Sequence, residues 1–466
     1  MSIEIAKKIK FLHSILYRFT KTVNNILQIY KNIPINNYIN NGNTIKGDTM
    51  KIKKLTKITI TILLFISIII IHNVLISNKE IKDNQNQKQE ILSHYSSNIL
   101  APKNTKLYIK ENNNYIITGI LTSSQILKLN SLQVTENTKY FPLETIEGYY
   151  INYKDAQKTD KELIEIEKRY KNYIPFNETI ITKENATYYD NKTPLYKLKK
   201  SYKLKVLKKT ENAYYTDFNN KLLKILKEDI QEIITENNQT IPTASKIRVI
   251  AFHSFYDENE ISEKWCRNSI CHNIKDFDQQ IKYLKENNYF TLNTSELEQF
   301  IDGEINLPKN SVMITIDDGL MVDRAIKLLD KNKLNATIFL ITSSYKPDNY
   351  TQSKYIEFHS HGHNLHTQNI CPYGQGGAIK CKNKEYLLDD LKQSSTILGG
   401  SQIFCYPFYE YNNYSISVLK EAGYKMAFAG YIDDGYAKVG TDKYQIPRYT
   451  ITSDITINKF AQIIKN

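Results

Sequence analysis

Charged side chains are missing from one long stretch of this chain, and excess positive charge is missing from most of the rest. The 466 residues carry a net charge of +13. Residues 1–57 hold eleven basic and two acidic residues, which leaves only +4 for everything after them. A protein that binds nucleic acid through a broad basic face needs a larger surplus. We therefore expect no nucleic acid partner.

No charged residue occurs between positions 58 and 78, and this length is enough to cross a bilayer core of about 30 Å. A cluster of lysines precedes the apolar run, so the positive-inside rule places the N-terminus in the cytoplasm. We predict a basic cytoplasmic segment at 1–57, a transmembrane anchor in the cytoplasmic membrane at 58–78 and a polar stalk at 79–99. A cleaved signal peptide is the alternative, but no small-x-small cleavage site follows the run. The expected location is the cell membrane, crossed once, with everything after the stalk extracellular.

Cysteine is scarce, and all five cysteines lie on the predicted outer side, where disulfides can form. Cys266 and Cys271 are close enough in sequence to pair, and so are Cys371 and Cys381. Cys405 would then be left over. Spacing alone does not fix the connectivity, and five small buried thiols are the other interpretation.

Two segments after the stalk, 100–158 and 176–235, contain short strand patterns separated by Asn, Gly and Thr. Each also has a pair of tyrosines after a turn. Their size and spacing resemble bacterial SH3-like modules, two of them in tandem. A generic small β domain that spaces the remainder from the membrane is the alternative.

Strand and helix patterns alternate in the last region, 245–466. Apolar strands are predicted at 247–252, 312–316, 336–341, 402–406 and 425–429, with amphipathic helices between several of them. Repeated β-then-α units imply an α/β fold built on a parallel sheet. Chemistry in such sheets collects at the C-terminal ends of the strands.

Asp317 and Asp318 follow one of these strands, and four histidines fall between 359 and 366. One carboxylate and two imidazoles make a metal site with open positions, and a second carboxylate can act as a base. An Asp-Asp-Gly sequence is also good turn chemistry. A loop between them would let His361 and His366 share an ion, whereas a helix would favour the pair His359 and His363. The spacing leaves both choices open.

These motifs resemble the polysaccharide deacetylase family with the NodB-homology domain (carbohydrate esterase family 4). The motif Thr-Phe-Asp-Asp-Gly of that family corresponds to residues 315–319, and the five-residue histidine spacing resembles its poly-N-acetylglucosamine branch. The resemblance implies a distorted (β/α) barrel in the C-terminal half. It also implies residue roles: Asp317 as catalytic base, Asp318, His361 and His366 as metal ligands, and the main-chain N–H of Tyr406 as an oxyanion donor.

The sequence departs from the family pattern in two places. Cys405 replaces the arginine that orients the base, and Arg448 could supply that charge from another strand. No histidine follows His366, so the family's late Leu-x-His motif, which carries the general acid, is missing. His363, Asp433 and Asp434 are the candidates for that role, without preference among them.

The resemblance implies a metal-dependent hydrolase that removes N-acetyl groups from a cell-surface polysaccharide containing N-acetylglucosamine, either peptidoglycan or poly-N-acetylglucosamine. Zinc is the expected metal, with cobalt, nickel and manganese as alternatives. Two other functions stay open. One is a weak or inactive enzyme that binds or scaffolds the wall, and the other is an O-acetyl esterase on the same scaffold.

Overall fold

The computed structural model describes residues 98–130, 139–159, 168–236, 241–266 and 268–465, with scattered helical positions between 21 and 82. The chain separates into two compact units, Met1–Asn86 and Gln87–Asn466. In the first unit, residues 68–79 are helical and mostly exposed.

Within the described positions, no helix combines the length and the apolar character that a membrane crossing requires. The transmembrane anchor predicted at 58–78 is therefore not supported by the described residues. Seven of its positions (58–60, 62–64 and 67) lie outside them, as do almost all of the predicted cytoplasmic segment and most of the predicted stalk.

The second unit begins with a β-rich region, residues 98–236. Alternating apolar residues and Asn-rich turns give it short antiparallel strands, because successive side chains on a strand point to opposite faces. The strands of this region are β1 (Asn98–Ala101), β2 (Lys106–Glu111), β3 (Asn114–Leu121), β4 (Gln125–Lys128), β5 (Tyr140–Pro142), β6 (Tyr150–Asn152), β7 (Gln157–Lys158), β8 (Glu178–Thr182), β9 (Ala186–Asp190), β10 (Thr193–Leu198), β11 (Lys203–Lys205), β12 (Lys208–Lys209), β13 (Ala213–Phe218), β14 (Lys221–Leu226) and β15 (Ile230–Thr235).

The two segments predicted as separate modules share one sheet. Nine strands run in the order β12-β13-β14-β9-β10-β3-β2-β6-β5, and the pairing of β10 with β3 joins the two segments. Apolar side chains from both segments also form one buried cluster. Two three-stranded sheets, β4-β1-β7 and β11-β8-β15, complete the region. The structure does not show an SH3-like class for either segment, and that assignment stays a prediction.

The rest of the unit is built on a parallel half-barrel sheet, in agreement with the predicted α/β class. Its strands run in the order β24-β23-β22-β21-β20-β16-β25, with β19 beside β20 and β26 beside β16. The strands not yet named, including a small separate pair, are β16 (Ile247–Phe252), β17 (Ser254–Tyr256), β18 (Cys271–Asn273), β19 (Phe290–Thr291), β20 (Ser311–Ile316), β21 (Ala336–Leu340), β22 (Ile356–Ser360), β23 (Ile403–Cys405), β24 (Met426–Phe428), β25 (Tyr436–Ala437) and β26 (Tyr449–Thr450).

Six helices accompany this sheet: α1 (Ile274–Glu286), α2 (Thr294–Ile301), α3 (Asp323–Asn332), α4 (Lys384–Ile397), α5 (Asn413–Glu421) and α6 (Ile457–Ile463). Side chains that alternate along β20 enter different cores. Val312 and Ile314 pack with α1, α3 and α6, whereas Met313 packs with α2 on the other face. Both faces are buried, as is typical of parallel sheets. The sequence patterns predicted five of these strands, β16, β20, β21, β23 and β24. They missed the short strands and also β22, whose polar ending hides it.

Two disulfides stabilise loops of this region, Cys266–Cys271 and Cys371–Cys381. Both pairs are the ones predicted from sequence proximity. Cys405 remains a free, buried thiol.

Candidate active site

Strand β20 delivers two aspartates to the edge of the sheet. Asp317 continues the strand pairing, because its main-chain N–H donates to the Phe252 carbonyl at 2.9 Å. The backbone then turns, with φ of 69° at Asp318 and 102° at Gly319. A Cβ at position 319 would meet neighbouring side chains at 2.8 to 2.9 Å, so glycine is required there. This turn brings both carboxylates beside His361, although successive strand residues otherwise point apart.

Asp317 is held by Arg448 in a two-pronged ion pair. The guanidinium donates to Oδ1 at 2.7 Å and to Oδ2 at 2.9 Å. Arg448 is 0% exposed, and it also donates to the Ala429 carbonyl at 2.7 Å and to Thr315 Oγ1 at 3.2 Å. These bonds hold the guanidinium from the ends of β20 and β24, so the carboxylate of Asp317 has one orientation.

The surroundings keep both aspartates ionised. Burial alone would raise the pKa of Asp317, but Arg448, together with His361 and His253, holds that pKa well below its usual range. Burial likewise opposes charge on Asp318, and the adjacent His361 lowers its pKa in spite of it. A carboxylate that stays ionised at neutral pH can accept a proton or bind a cation.

Asp318, His361 and His366 converge on one point. Asp318 Oδ1 lies 3.4 Å from His361 Nε2 and 3.3 Å from His366 Nε2, and the three candidate ligand atoms lie within 4.8 Å of one another. His361 Nδ1 is 2.9 Å from the Cys405 carbonyl. That contact places a ring proton on Nδ1 and directs Nε2 toward Asp318.

This donor set fits a divalent metal ion. Among the described residues, Asp318 Oδ1 is buried without a hydrogen-bond partner, and an orphaned carboxylate oxygen is costly unless a cation binds it. Burial and the neighbouring His361 lower the pKa of His366 to about 4, which favours the neutral imidazole that a metal requires. One carboxylate and two imidazoles on one side leave the opposite positions open for water and substrate.

The fold also decides between the two histidine pairs that the sequence left open. Residues 361–366 form a loop after β22 rather than a helix, and His361 and His366 therefore face the same point. His359 lies on the strand, with Nδ1 2.7 Å from Ser401 Oγ. His363 Nδ1 contacts Thr342 Oγ1 at 3.1 Å. Neither belongs to a group of potential ligands in the described residues.

Comparison with known proteins identifies this region. Residues 304–427 match the family described as polysaccharide deacetylase.

The C-terminal part of the chain thus contains a region that matches the polysaccharide deacetylases, and we call residues 241–465 the deacetylase domain after this match.

Two named proteins are similar to it in sequence. The chain is 26% identical over 209 residues to the poly-β-1,6-N-acetyl-D-glucosamine N-deacetylase of Staphylococcus epidermidis, covering 39% of this chain and 68% of that protein. It is 22% identical over 226 residues to YxkH of Bacillus subtilis, a predicted polysaccharide deacetylase, covering 48% of this chain and 77% of that protein.

Solved structures with similarity include the Streptococcus pyogenes deacetylase PplD in complex with acetate, at 20% identity and a TM-score of 0.40, which spans 48% of this chain and 100% of that one. IcaB from Ammonifex degensii has 18% identity and a TM-score of 0.40, and spans 49% of this chain and 100% of its own.

Tyr406 is not arranged for the role predicted from the resemblance. Its main-chain N–H donates to the Phe428 carbonyl at 3.0 Å, because the pairing of β23 with β24 continues through it. Its side chain is 0% exposed, and its hydroxyl donates to the Tyr444 carbonyl at 3.1 Å. An amide already bonded within the sheet cannot also hold an oxyanion. The turn that follows brings Phe408 against His366, with ring centroids 4.3 Å apart.

His253 is the residue of the deacetylase domain that sequence reasoning did not include in the site. Its Nε2 lies 3.9 Å from Asp317 Oδ2, and its Nδ1 is buried without a partner within the described part of the chain. It follows β16, the parallel neighbour of β20, with Phe252 opposite Ile316. The rule that chemistry gathers at C-terminal strand ends could have found it.

The three proposed alternatives for a general acid lie elsewhere or are not described. His363 contacts Thr342, as given above, and its main-chain N–H donates to Asp390. Asp434 lies near Arg248. Burial lowers the pKa of Arg248, and the negative charge of Asp434 partly opposes that lowering. The side chain of Asp433 lies outside the described residues.

Cys405 stands inside the ion pair at the site. Its Sγ lies 3.0 Å from Arg448 Nη2 and 3.6 Å from Asp317 Oδ2. Burial raises the pKa of this thiol, so it stays neutral beside the carboxylate. At this position the small thiol of Cys405 packs directly against the guanidinium of Arg448.

Proposed function

We propose that this protein is a metal-dependent hydrolase that removes N-acetyl groups from a polysaccharide containing N-acetylglucosamine. The observation that carries the proposal is the convergence of Asp318, His361 and His366 beside an ionised Asp317 that is fixed by Arg448. Three ligands and a separate base are the minimum set for metal-assisted hydrolysis.

Asp318, His361 and His366 would hold the ion, with zinc first and cobalt, nickel or manganese as alternatives. When bound, a divalent ion acts as a Lewis acid that acidifies water and polarises a carbonyl. Asp317 accepts the proton of the attacking water, and Arg448 keeps its carboxylate aimed at that water. The water oxygen adds to the acetyl carbon, the C–N bond breaks, and the products are acetate and a sugar with a free amine.

The departing amine needs a proton, and His253 is the best-placed donor. Its ring faces the base at 3.9 Å and is 13% exposed. An imidazole is a side chain suited to proton transfer near neutral pH. Asp317 and His253 then form a base and an acid on neighbouring strand ends.

The proposed location of the catalytic domain is outside the cytoplasm. Support comes from the two disulfides, which form and persist in oxidising compartments. Anchoring by residues 58–78 stays a prediction from the sequence. The similarity to a poly-β-1,6-N-acetyl-D-glucosamine N-deacetylase makes that polymer the first substrate to test, with peptidoglycan second.

The deciding experiment is acetate release by the metal-loaded protein from poly-β-1,6-N-acetylglucosamine, peptidoglycan and an O-acetylated sugar. We expect release from an N-acetylated polymer and a loss of about 10²–10⁴-fold in Asp317→Asn, because general base catalysis contributes that much. Asp348→Asn, a change at an exposed aspartate, is the control and should act as wild type. Equal release by Asp317→Asn and wild type would remove the proposed base. Release from the O-acetylated sugar alone would make the protein an esterase.

A further inference from the structure

The nine-stranded sheet of the β-rich region has two unlike faces. One face is covered by the buried apolar cluster of that region. The opposite face is partly exposed and carries several tyrosines and lysines. An antiparallel sheet with one solvated face is common, but solvated positions usually carry small polar or charged residues rather than aromatic rings.

The register of the strands places these residues on the same face. Directly opposed residues in antiparallel strands project to one side. Tyr215 is opposite Lys224, and Lys224 is opposite Tyr189. At the other end of the sheet, Lys110 is opposite Tyr115.

The remaining pairings join these two ends. Tyr108 is opposite Tyr150, and Tyr150 is opposite Pro142, two residues from Tyr140. Lys197 of β10 is opposite Ile120 of β3 and bridges the two halves. We call this surface the Tyr/Lys face and define it by Tyr115, Tyr140, Tyr150, Tyr189 and Tyr215 with the lysines between them.

The rings of the Tyr/Lys face are half-buried and held in fixed positions. Tyr115 stacks on Tyr140 with centroids 4.0 Å apart, and the edge of Tyr150 meets Tyr115 at 5.1 Å. Lysine ammonium groups lie over several rings: Lys224 is 5.0 Å from the Tyr189 centroid and Lys110 is 6.0 Å from Tyr115. Rigid rings with polar rims offer an apolar body and hydrogen-bonding hydroxyls at little entropic cost.

This chemistry fits a chain of sugar rings. The axial C–H faces of a pyranose pack on aromatic rings, and its hydroxyls bond to phenol and ammonium groups. The face also has a charge preference. Lys197 is exposed, and Asp217, a carboxylate on the same face, is paired with Lys171. A neutral or anionic polymer is compatible with this surface, whereas a polycation is repelled.

We propose that the Tyr/Lys face binds the N-acetylated polysaccharide on which the deacetylase domain acts. This inference rests on the proposed function for the identity of the polymer. N-acetylated sugars are neutral, and each deacetylation leaves an amine that becomes cationic on protonation. The face therefore binds the acetylated substrate and releases the deacetylated product. Lys208, which is opposite Tyr215, pairs with Glu304 of the deacetylase domain at 3.0 Å, so one edge of the face contacts that domain.

The test is co-sedimentation of the full chain with insoluble N-acetylglucosamine polymer and with the same polymer after chemical deacetylation. All proteins carry Asp318→Asn, for which no detectable acetate release is expected. The variants are Tyr115→Ala with Tyr140→Ala, and Tyr189→Ala with Tyr215→Ala. We expect each pair to weaken binding to the acetylated polymer about tenfold or more, since one aromatic contact contributes roughly 1 kcal/mol. We expect weaker binding of the parent protein to the deacetylated polymer.

Tyr386→Ala is the matched control. Tyr386 is 40% exposed and also lies beneath a lysine, with Lys382 at 5.4 Å from its centroid, but it lies on α4 of the deacetylase domain. It should bind as the parent does. Far-ultraviolet circular dichroism and thermal melts establish that each variant is folded. Unchanged binding in both folded double variants, or an equal loss in the control, overturns the proposal.

Two further outcomes bear on the occupant. Aromatic and basic surfaces also bind single-stranded nucleic acid. Tighter binding to an oligonucleotide than to the acetylated polymer therefore overturns the proposal. Tighter binding to the deacetylated polymer than to the acetylated polymer overturns it as well. Acetate release by the unmutated protein from a soluble chito-oligosaccharide is measured in parallel. If the unmutated protein releases acetate from the oligosaccharide but the polymer is not bound, only this inference fails. If the polymer is bound but no acetate is released, only the proposed function fails.

Discussion

The two large sheets of this protein assemble polar residues in different ways. In the deacetylase domain both faces of the parallel sheet are buried. The polar side chains of the candidate site gather at the strand ends, where β16, β20 and β22 bring His253, Asp317 and His361 together. In the β-rich region one face of an antiparallel sheet is free, and cross-strand register aligns the Tyr/Lys face. The order of the parallel strands brings the candidate site residues together, whereas the cross-strand register of antiparallel strands aligns the Tyr/Lys face.

The difference extends to energetics. The deacetylase domain contains a fully buried ion pair, Asp317 with Arg448, at 2% and 0% side-chain exposure. In the β-rich region, a representative ion pair between Lys128 and Glu144 is about half exposed. A buried pair is costly to break, because the remaining charge has no water to replace its partner. Mutations should therefore act strongly on one region and weakly on the other.

The largest effect is expected from Asp318→Asn. Metal affinity should fall by more than the roughly 10–100-fold typical of changes outside the ligand shell, and acetate release should become undetectable. The metal-free variant should remain folded, because asparagine has nearly the same shape as aspartate. Metal analysis, activity and melting curves measure the three quantities. A clear drop in metal-free stability with metal binding intact would make Asp318 a structural residue.

Arg448→Met is expected to destabilise the protein by about 3–5 kcal/mol, since it leaves Asp317 buried without a counter-charge. Arg324→Met is the matched control. Arg324 makes the same two-pronged contact with Glu263 at 2.7 Å, but its side chain is 32% exposed, and its loss should cost about 1 kcal/mol or less. Urea unfolding measures both. Equal costs would show that burial does not set the difference between the two pairs.

Acid should loosen the deacetylase domain before the β-rich region. Burial lowers the pKa of His272 to about 4, against about 6.5 in an unfolded chain. Between these two values the unfolded chain binds a proton that the folded domain excludes. Stability is therefore lost as pH falls through this window, by about 3 kcal/mol in total.

Residues 98–236 contain no histidine, so this mechanism does not operate there. His272→Gln keeps a donor for the Ile451 carbonyl, which His272 Nε2 contacts at 2.8 Å. The variant should flatten the dependence of unfolding free energy on pH between 4 and 6.5. An unchanged slope in this variant would assign the acid sensitivity to other groups.

The smallest effect is expected at the contact between the two regions. Arg169 donates to Glu296 Oε1 at 2.7 Å and to the Thr291 carbonyl at 2.8 Å, and its guanidinium lies over Phe290. Arg169→Ala should cost about 2 kcal/mol, because hydrogen bonds to a charged group are worth about 1.5–3 kcal/mol. The two regions should then unfold less cooperatively in calorimetry.

Lys282→Ala is the control for that change, since Lys282 forms an exposed pair with Asp278 one helical turn away and should cost only about 0.3–0.5 kcal/mol. A cost for Arg169→Ala as small as this would mean that the two regions are not energetically coupled through Glu296.

The sequence predicted the deacetylase domain more fully than the β-rich region. Hydrophobic period and turn residues predicted the strands before Asp317 and Tyr406. Short sequence separation made both disulfide pairs plausible without fixing the connectivity. It did not separate His361 and His366 from His359 and His363, because the choice depends on whether the segment is a loop. It assigned an oxyanion role to the Tyr406 amide, whose hydrogen bond to Phe428 depends on a strand 20 residues away in the chain.

The sequence by itself determined which chemistry is available, because residue type fixes charge, ligand preference and local backbone freedom: two carboxylates before a glycine, a histidine cluster and two cysteine pairs. Only the tertiary structure decided which of these groups meet. Arg448 reaches Asp317 across 131 positions, and Tyr189 joins Tyr215 on one face through the register of β14. Contacts between distant segments arise from sheet order and side-chain burial, which no local pattern encodes.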